Sequence, residues 1–249
     1  MTMSAPDLAT KPLSGRVVAV TGASRGIGRA IAQQLCAAGA RVLAGARRAA
    51  AEDIGAIEAI EAIEEMVLDV REEDSVAAFA RRAAERGVDS LVHNAGVGMF
   101  GPIESASVDD YRLVFDTNVL GMLLLARHFN PQFRRRHALG RVSHLVAVTS
   151  DVSTRTFSHG ALYTASKHAQ RALCQVAARE GQAYGLRVTE VRPGMTDTWF
   201  NGNTPGRPER AAHLRADDVA QAVLFALSAP PHARVDEIVL HPAVQAVET

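Results

Sequence analysis

Seven short β-rich runs, mostly apolar, cross this 249-residue chain, and a longer stretch with helical spacing separates each run from the next. The runs are RVVAV (16–20), RVLAGA (41–46), MVLDV (66–70), SLVHNAG (90–96), RVSHLVAVTS (141–150), LRVTEVRPG (186–194) and VDEIVLH (235–241). A strand with one wet face alternates apolar and polar residues, whereas a continuous apolar run belongs to a strand covered on both faces. The intervening stretches, 28–39, 52–65, 72–86, 107–130, 160–184 and 217–228, read as helices, the fourth ended by Pro131. The second contains the repeat AIEAIEAIEE, whose isoleucines every three residues suit a helix flank. Strand–helix alternation with right-handed crossovers gives a doubly wound α/β fold: a seven-stranded parallel sheet with helices on both faces. Such a sheet binds its ligand beyond the carboxyl ends of the strands, where Gly22, Asp69, Asn94, Ser150 and Pro193 fall. No linker divides the chain, so residues 14–249 are expected to form one domain after a loose tail, 1–13.

Charge narrows the function. Lysine plus arginine and aspartate plus glutamate are both 27, and a balanced chain lacks the basic excess of a nucleic-acid protein. No stretch approaches the roughly 18 apolar residues of a membrane span, and MTMSAPDLATKP has no signal-peptide pattern. Cys36 and Cys174 fall inside helices and read as buried thiols. The nine histidines show no metal-binding spacing, so no metal is assigned. A cytoplasmic protein is expected.

VAVTGASRGIGRAIA (18–32) joins the first strand to the first helix through a glycine turn. Gly22 permits the turn, and Gly26 and Gly28 clear side chains from a place where a pyrophosphate would meet backbone N–H groups at the positive end of a helix. A plain strand-to-helix turn would also account for the glycines. An acidic residue at the end of the second strand would hold the ribose hydroxyl of NAD. Arg47 and Arg48 stand there instead, with Arg25 in the turn. Guanidinium groups suit a 2′-phosphate, so NADP(H) is expected.

Tyr163 and Lys167, four residues apart in SHGALYTASKHAQ (158–170), share one helical face. An isolated phenol titrates near 10, and a neighbouring ammonium favours its ionised form. The pair therefore predicts a tyrosine whose proton is unusually easy to move.

Taken together, TGASRGIG (21–28), NAG (94–96), DTNVLG (116–121), TS (149–150), YTASK (163–167) and PGMTDT (193–198) resemble the classical short-chain dehydrogenase/reductase family, in its order and spacing. The resemblance implies a Rossmann-type sheet, a nicotinamide cofactor and a homodimer or homotetramer. It makes Tyr163 the catalytic acid/base, Lys167 its partner and ribose anchor, Ser150 the carbonyl-orienting hydroxyl, and Asn118 the residue of a helix kink that links the lysine to solvent through water. Gly22, Ser24, Arg25, Ile27, Asp69, Val70 and Asn94 match cofactor-contacting positions. Ala95, Gly96, Pro193 and Gly194 lie in the same motifs, and Thr196 matches a nicotinamide contact. His93 stands where many members have a second asparagine, and is expected to face the core.

Residues 195–214, rich in Gly, Pro and Asn and carrying Trp199 and Phe200, read as a short substrate lid. Val97, Met99, Phe100, Phe157 and His159 are further candidates for the pocket wall. The expected activity is reversible hydride transfer between NADP(H) and a small ketone, aldehyde or secondary alcohol. The C-terminal RVDEIVLHPAVQ resembles the family's 3-hydroxy acid dehydrogenase-like subgroup. The alternatives are a 3-oxoacyl-carrier-protein reductase, for which RRRH (134–137) is the one basic patch, and a non-catalytic NADP-sensing regulator. The intact Tyr163, Lys167 and Ser150 argue against the regulator.

Overall fold

The computed structural model describes residues 11–47, 62–230 and 232–246. Seven strands form one parallel sheet: β1 (Val17–Thr21), β2 (Arg41–Ala46), β3 (Ile63–Val67), β4 (Ser90–His93), β5 (Ser143–Val148), β6 (Leu186–Pro193) and, last in the chain, β9 (Glu237–Leu240). Their spatial order is β3-β2-β1-β4-β5-β6-β9. Two-residue strands β7 (Thr196–Asp197) and β8 (Leu214–Arg215) pair separately.

Successive side chains of a strand face opposite ways, so each buried strand feeds two cores. On one face, Val18 and Val20 of β1 meet Ile31 and Leu35 of α1 (Gly26–Ala37) and Val219 and Val223 of α6 (Ala216–Ser228). On the other, Val17 and Ala19 join the cluster of Phe79 from α2 (Glu73–Glu85), Phe129 and Phe133 from α4 (Gly121–Ala138) and Cys174 from α5 (Ala161–Gly181). Among the described residues no helix is long and apolar enough to cross a membrane.

Four expectations change. The third strand begins at Ile63 rather than Met66, so the end of the isoleucine repeat is extended; positions 52–61 of the expected helix lie outside the described residues. β3 is an edge strand, and its outward Glu64 pairs with Arg82 and Arg86. Pro131 does not end its helix. Its ring is exposed, where water can reach the carbonyl it leaves unbonded, while Gln132 and Phe133 beyond it are buried and Gln132 donates to the carbonyl of Val88. The tail also stops short of residue 13: Leu13 is buried, and its N–H donates to the carbonyl of Ala38 (3.0 Å).

The predicted helix 107–130 is two helices, α3 (Val108–Phe115) and α4, joined by a wider π turn, Asp116–Leu120. Ser107 caps α3 in a reciprocal box with Asp110. The π turn carries Asn118 inward, where it is fully buried.

Candidate active site

Beyond the carboxyl ends of β1, β4, β5 and β6, where the strand order reverses, lies a crevice of 1170 Å³. The turn after β1 forms one wall. Gly22 has φ +68°, a conformation open to glycine without strain. Ser24, Arg25, Gly26 and Ile27 also line the crevice. Gly28 does not: a Cβ there would collide with the carbonyl oxygen of Gly22 and lie 2.5 Å from Asn94 Nδ2. Its role is to let α1 pack against the turn, which corrects the expectation that it clears space for a ligand.

The start of α1 fits a pyrophosphate. Arg25 at its N-cap makes no side-chain cap, and its first turn holds no acidic residue, whereas α2, α3 and α6 each carry two. At Gly26 an added Cβ would find only Thr198, at 3.6 Å. The helix-end N–H groups are therefore left to whatever enters the crevice.

Arg25 and Arg47 both line this wall; Arg48 lies outside the described residues. Arg71, which the sequence reading missed, joins them. It grips Asp69 through Nη2 (2.6 Å), Nε and its backbone N–H. Those hydrogen bonds, with a smaller Coulomb contribution from Arg47, hold the Asp69 carboxyl below the usual carboxylate range. Among the described residues three guanidinium groups and one carboxylate line this end, a net positive set. The only sequence signal for Arg71 was its place two residues after Asp69.

Asn94 stitches the floor, donating from Nδ2 to the carbonyls of Thr21 (3.1 Å) and Gly22 (3.3 Å). Val70, Ala95, Gly96, Pro193, Gly194 and Thr196 all line the crevice.

At the other end Ser150, Tyr163 and Lys167 come together. Tyr163 and Lys167 are one turn apart on α5, with Nζ 5.6 Å from the ring centroid. Tyr163 is half-buried. Desolvation pushes its hydroxyl up to about 12, against the opposing hydrogen bond with Ser150. This reverses the direction expected from the sequence, where the ammonium was counted and burial was not. Burial also pushes Lys167 down to about 8. Behind them His93 is fully buried, as expected, and desolvation followed by the charge of Lys167 pushes it down to about 3, so it is neutral.

Asn118 stands in the π turn that kinks the helix. Its Oδ1 accepts from Val97 N–H (2.9 Å), and its Nδ2 donates to the Val97 carbonyl (2.9 Å) and Ser166 Oγ (2.9 Å). These bonds fix the loop after β4 to α5, using both amide hydrogens and one of the two lone pairs of Oδ1.

A second missed group lies beside Ser150. The hydroxyl of Ser150 donates to Asp151 Oδ1 (3.1 Å), and Asp151 Oδ2 accepts from Arg155 Nη2 (2.6 Å) and Gln245 Nε2 (2.7 Å). Gln245 Oε1 in turn accepts from Met195 N–H (3.3 Å). The C-terminal segment is thus tied to both the candidate serine and the base of the expected lid. A contact spanning 94 positions leaves no local trace in a sequence. Of the other wall candidates, Val97, Phe100, Phe157, Trp199 and Phe200 line the crevice, and Met99 and His159 do not.

Comparison with known proteins agrees with this architecture. Residues 16–207 match the family model for short chain dehydrogenase. Glycine betaine reductase ATRR of Emericella nidulans is 34% identical over 252 residues, which take in 93% of this chain but only 19% of that much longer protein. The alcohol dehydrogenase of the archaeon Thermococcus sibiricus, solved with 5-hydroxy-NADP, is 34% identical with a TM-score of 0.84, covering 94% of this chain and 99% of that one. The 3-ketoacyl-(acyl-carrier-protein) reductase of Brucella melitensis, solved with NADH, is 26% identical with a TM-score of 0.81, covering 91% and 98%. With its sheet order and its crevice beyond the strand ends, the chain belongs to the short-chain dehydrogenase family of oxidoreductases.

Proposed function

We propose that this protein is an NADP(H)-dependent oxidoreductase that interconverts a small ketone or aldehyde with its alcohol. The observation that carries the reading is the meeting of the Ser150 and Tyr163 hydroxyls above Lys167, at one end of a crevice whose other end is positive. The bound nicotinamide supplies or removes the hydride. Gly22, Ser24, Arg25, Gly26 and Ile27 would hold its pyrophosphate at the start of α1, and Asp69 and Val70 the adenosine end. Arg25, Arg47 and Arg71 favour a 2′-phosphate through charge-assisted hydrogen bonds. The NADP-type ligand of the archaeal alcohol dehydrogenase supports that choice, and the NADH of the Brucella reductase makes it worth measuring.

In reduction, Ser150 and Tyr163 donate hydrogen bonds to the substrate oxygen, where negative charge grows, and stabilise it where water is scarce. Tyr163 surrenders its proton to that oxygen. Lys167 holds positive charge beneath the phenolate left behind. Asn118 keeps the Val97 loop against α5 and so preserves the floor. Exposed apolar residues on α3, α4 and α5, among them Tyr111, Leu123 and Val176, are in keeping with a homodimer or homotetramer. The two unpaired cysteines suit the cytoplasm.

A carrier-protein substrate is less well supported. RRRH (134–137) ends α4, just before β5 begins, and so lies toward the amino ends of the strands, away from the crevice. Arg134 there stacks on Tyr184, 4.1 Å from the ring centroid.

Tyr163→Phe is the test. It should abolish NADPH-dependent carbonyl reduction while NADPH binding, followed by coenzyme fluorescence, stays within about threefold of the parent, a change of under 1 kcal/mol. Turnover at the parental rate would reject the assignment.

A further inference from the structure

Resting on that reading, we infer that the substrate is a neutral carbonyl compound carrying an apolar ring, and that Phe100, Phe157 and Phe200 select it. Three of the chain's eight phenylalanines gather around one phenol. Phe100 meets Tyr163 edge-on, with centroids 5.3 Å apart and planes at 77°. Phe200 lies 5.6 Å from Tyr163, and Phe157 lies 5.9 Å from Phe100. Phe100 and Phe157 remain 40% and 39% exposed and line the crevice. Offset and edge contacts of this kind are how aromatic rings receive another ring.

The backbone is shaped for these rings. A Cβ at Gly98 would lie 2.7 Å from the Phe200 ring, and one at Gly160 would lie 2.6 Å from Cε1 of Phe157. Two of the three rings therefore sit directly on glycine and reach positions that a side chain would deny them.

The guanidinium groups at this end are already matched, and the ammonium of Lys167 is buried. Arg155 is committed to Asp151 (2.6 Å), and Arg210 faces Asp197 (3.7 Å). Arg25, Arg47 and Arg71 stand by the glycine turn, at the opposite end. Among the described residues a substrate carboxylate at this end would find no guanidinium without a carboxylate of its own, which turns the reading away from the 3-hydroxy acid subgroup. A quaternary ammonium would find rings, but Asp151 is balanced by Arg155 and hydrogen-bonded by Gln245 and Ser150.

One ketone scaffold tests this. Butanone, benzylacetone, levulinate and the trimethylammonio analogue of butanone share the same methyl ketone and spacer, and differ in bearing hydrogen, phenyl, carboxylate or a cation at the far end. With NADPH, kcat/KM for benzylacetone should exceed that for butanone by about tenfold or more, the scale on which apolar pockets discriminate, and both charged ketones should fall below benzylacetone. Phe157→Ala and Phe200→Ala should each cut the benzylacetone-to-butanone ratio by about tenfold. Trp199, the chain's one tryptophan, also lines the crevice, so its fluorescence should titrate with benzylacetone at lower concentration than with levulinate. A best rate with either charged ketone, or a phenyl group that brings no gain, overturns the inference while the reductase reading stands. No turnover of any ketone with NADPH or NADH brings down the reductase reading, and this inference with it.

Discussion

Lys167 should make the protein less stable than it would be without it. The side chain is buried, and no carboxylate among the described residues pairs with its ammonium within 4.0 Å. Burial lowers its pKa from the usual 10.5 to about 8, a differential of about 3 kcal/mol between its protonation states. The unfolded chain holds the proton up to 10.5, while the folded chain releases it near 8. Between those values the unfolded state binds more protons, so stability rises with pH. Below 8 the full cost remains. Methionine has similar length and volume and no charge, so Lys167→Met keeps the packing. The variant should be more stable by about 3 kcal/mol at neutral pH, and its advantage should shrink steadily above pH ~8. The assay is urea denaturation of both proteins at matched concentration, since any self-association shifts apparent stability. Measurements should stop below pH ~10. Above that, Tyr163, whose pKa is raised from 10.0 to about 12, adds the opposite trend: its contribution is complete below 10 and is lost as pH climbs to its folded value. A methionine variant no more stable at neutral pH, or an advantage that stays flat between pH ~7 and ~9.5, would refute the reasoning.

Two further outcomes follow from the glycine turn and the positive end of the crevice. The parent should bind NADPH more tightly than NADH, and Arg47→Asp should narrow the gap by about tenfold or more, as expected for losing a hydrogen bond to a charged group; equal affinities in the parent would reject the arginine argument. Gly28→Ala should lower the unfolding free energy in urea by about 1–3 kcal/mol, because the new methyl meets the backbone of Gly22; an unchanged midpoint would show that α1 can shift to make room.

The sheet was legible because a strand buried on both faces is mostly apolar, as in VVAVT ending at Thr21 and LVAV ending at Val148; the run ending at Pro193 also buries Glu190 and Arg192, which are paired with Arg171 and Glu237. The misreadings share one cause: local pattern yielding to distant contacts. The isoleucine repeat suits a helix taken alone, yet Ile63 and Glu64 fall in parallel register with Val42 and Leu43 and become an edge strand. Pro131 should end a helix, but buried Gln132 and Phe133 hold the next turn in place. Within the site, residue types in fixed local spacing were readable, as with Tyr163 and Lys167. Whatever depended on the third dimension was not. Gly28 looked like a ligand contact until Gly22 and Asn94 were found against it. Asp151 gets its place in the site from Arg155 and Gln245, partners that reach it only once the chain has folded.

The order of the proton affinities bears on direction. Without a compensating charge, Tyr163 holds its proton up to about 12 and Lys167 releases its own near 8. A substrate alkoxide is a stronger base than either group. In the proposed reduction the handover from Tyr163 to the alkoxide therefore runs downhill, and Lys167 keeps its charge beside the phenolate. Oxidation has to climb the same ladder, since a tyrosine at about 12 is almost wholly protonated at neutral pH and makes a poor base. A positive charge beside the phenol lowers that climb, and the oxidised coenzyme carries one where the reduced coenzyme does not. Burial and coenzyme charge thus divide the work: desolvation by the fold prepares an acid for reduction, and the base for oxidation has to be made by what binds.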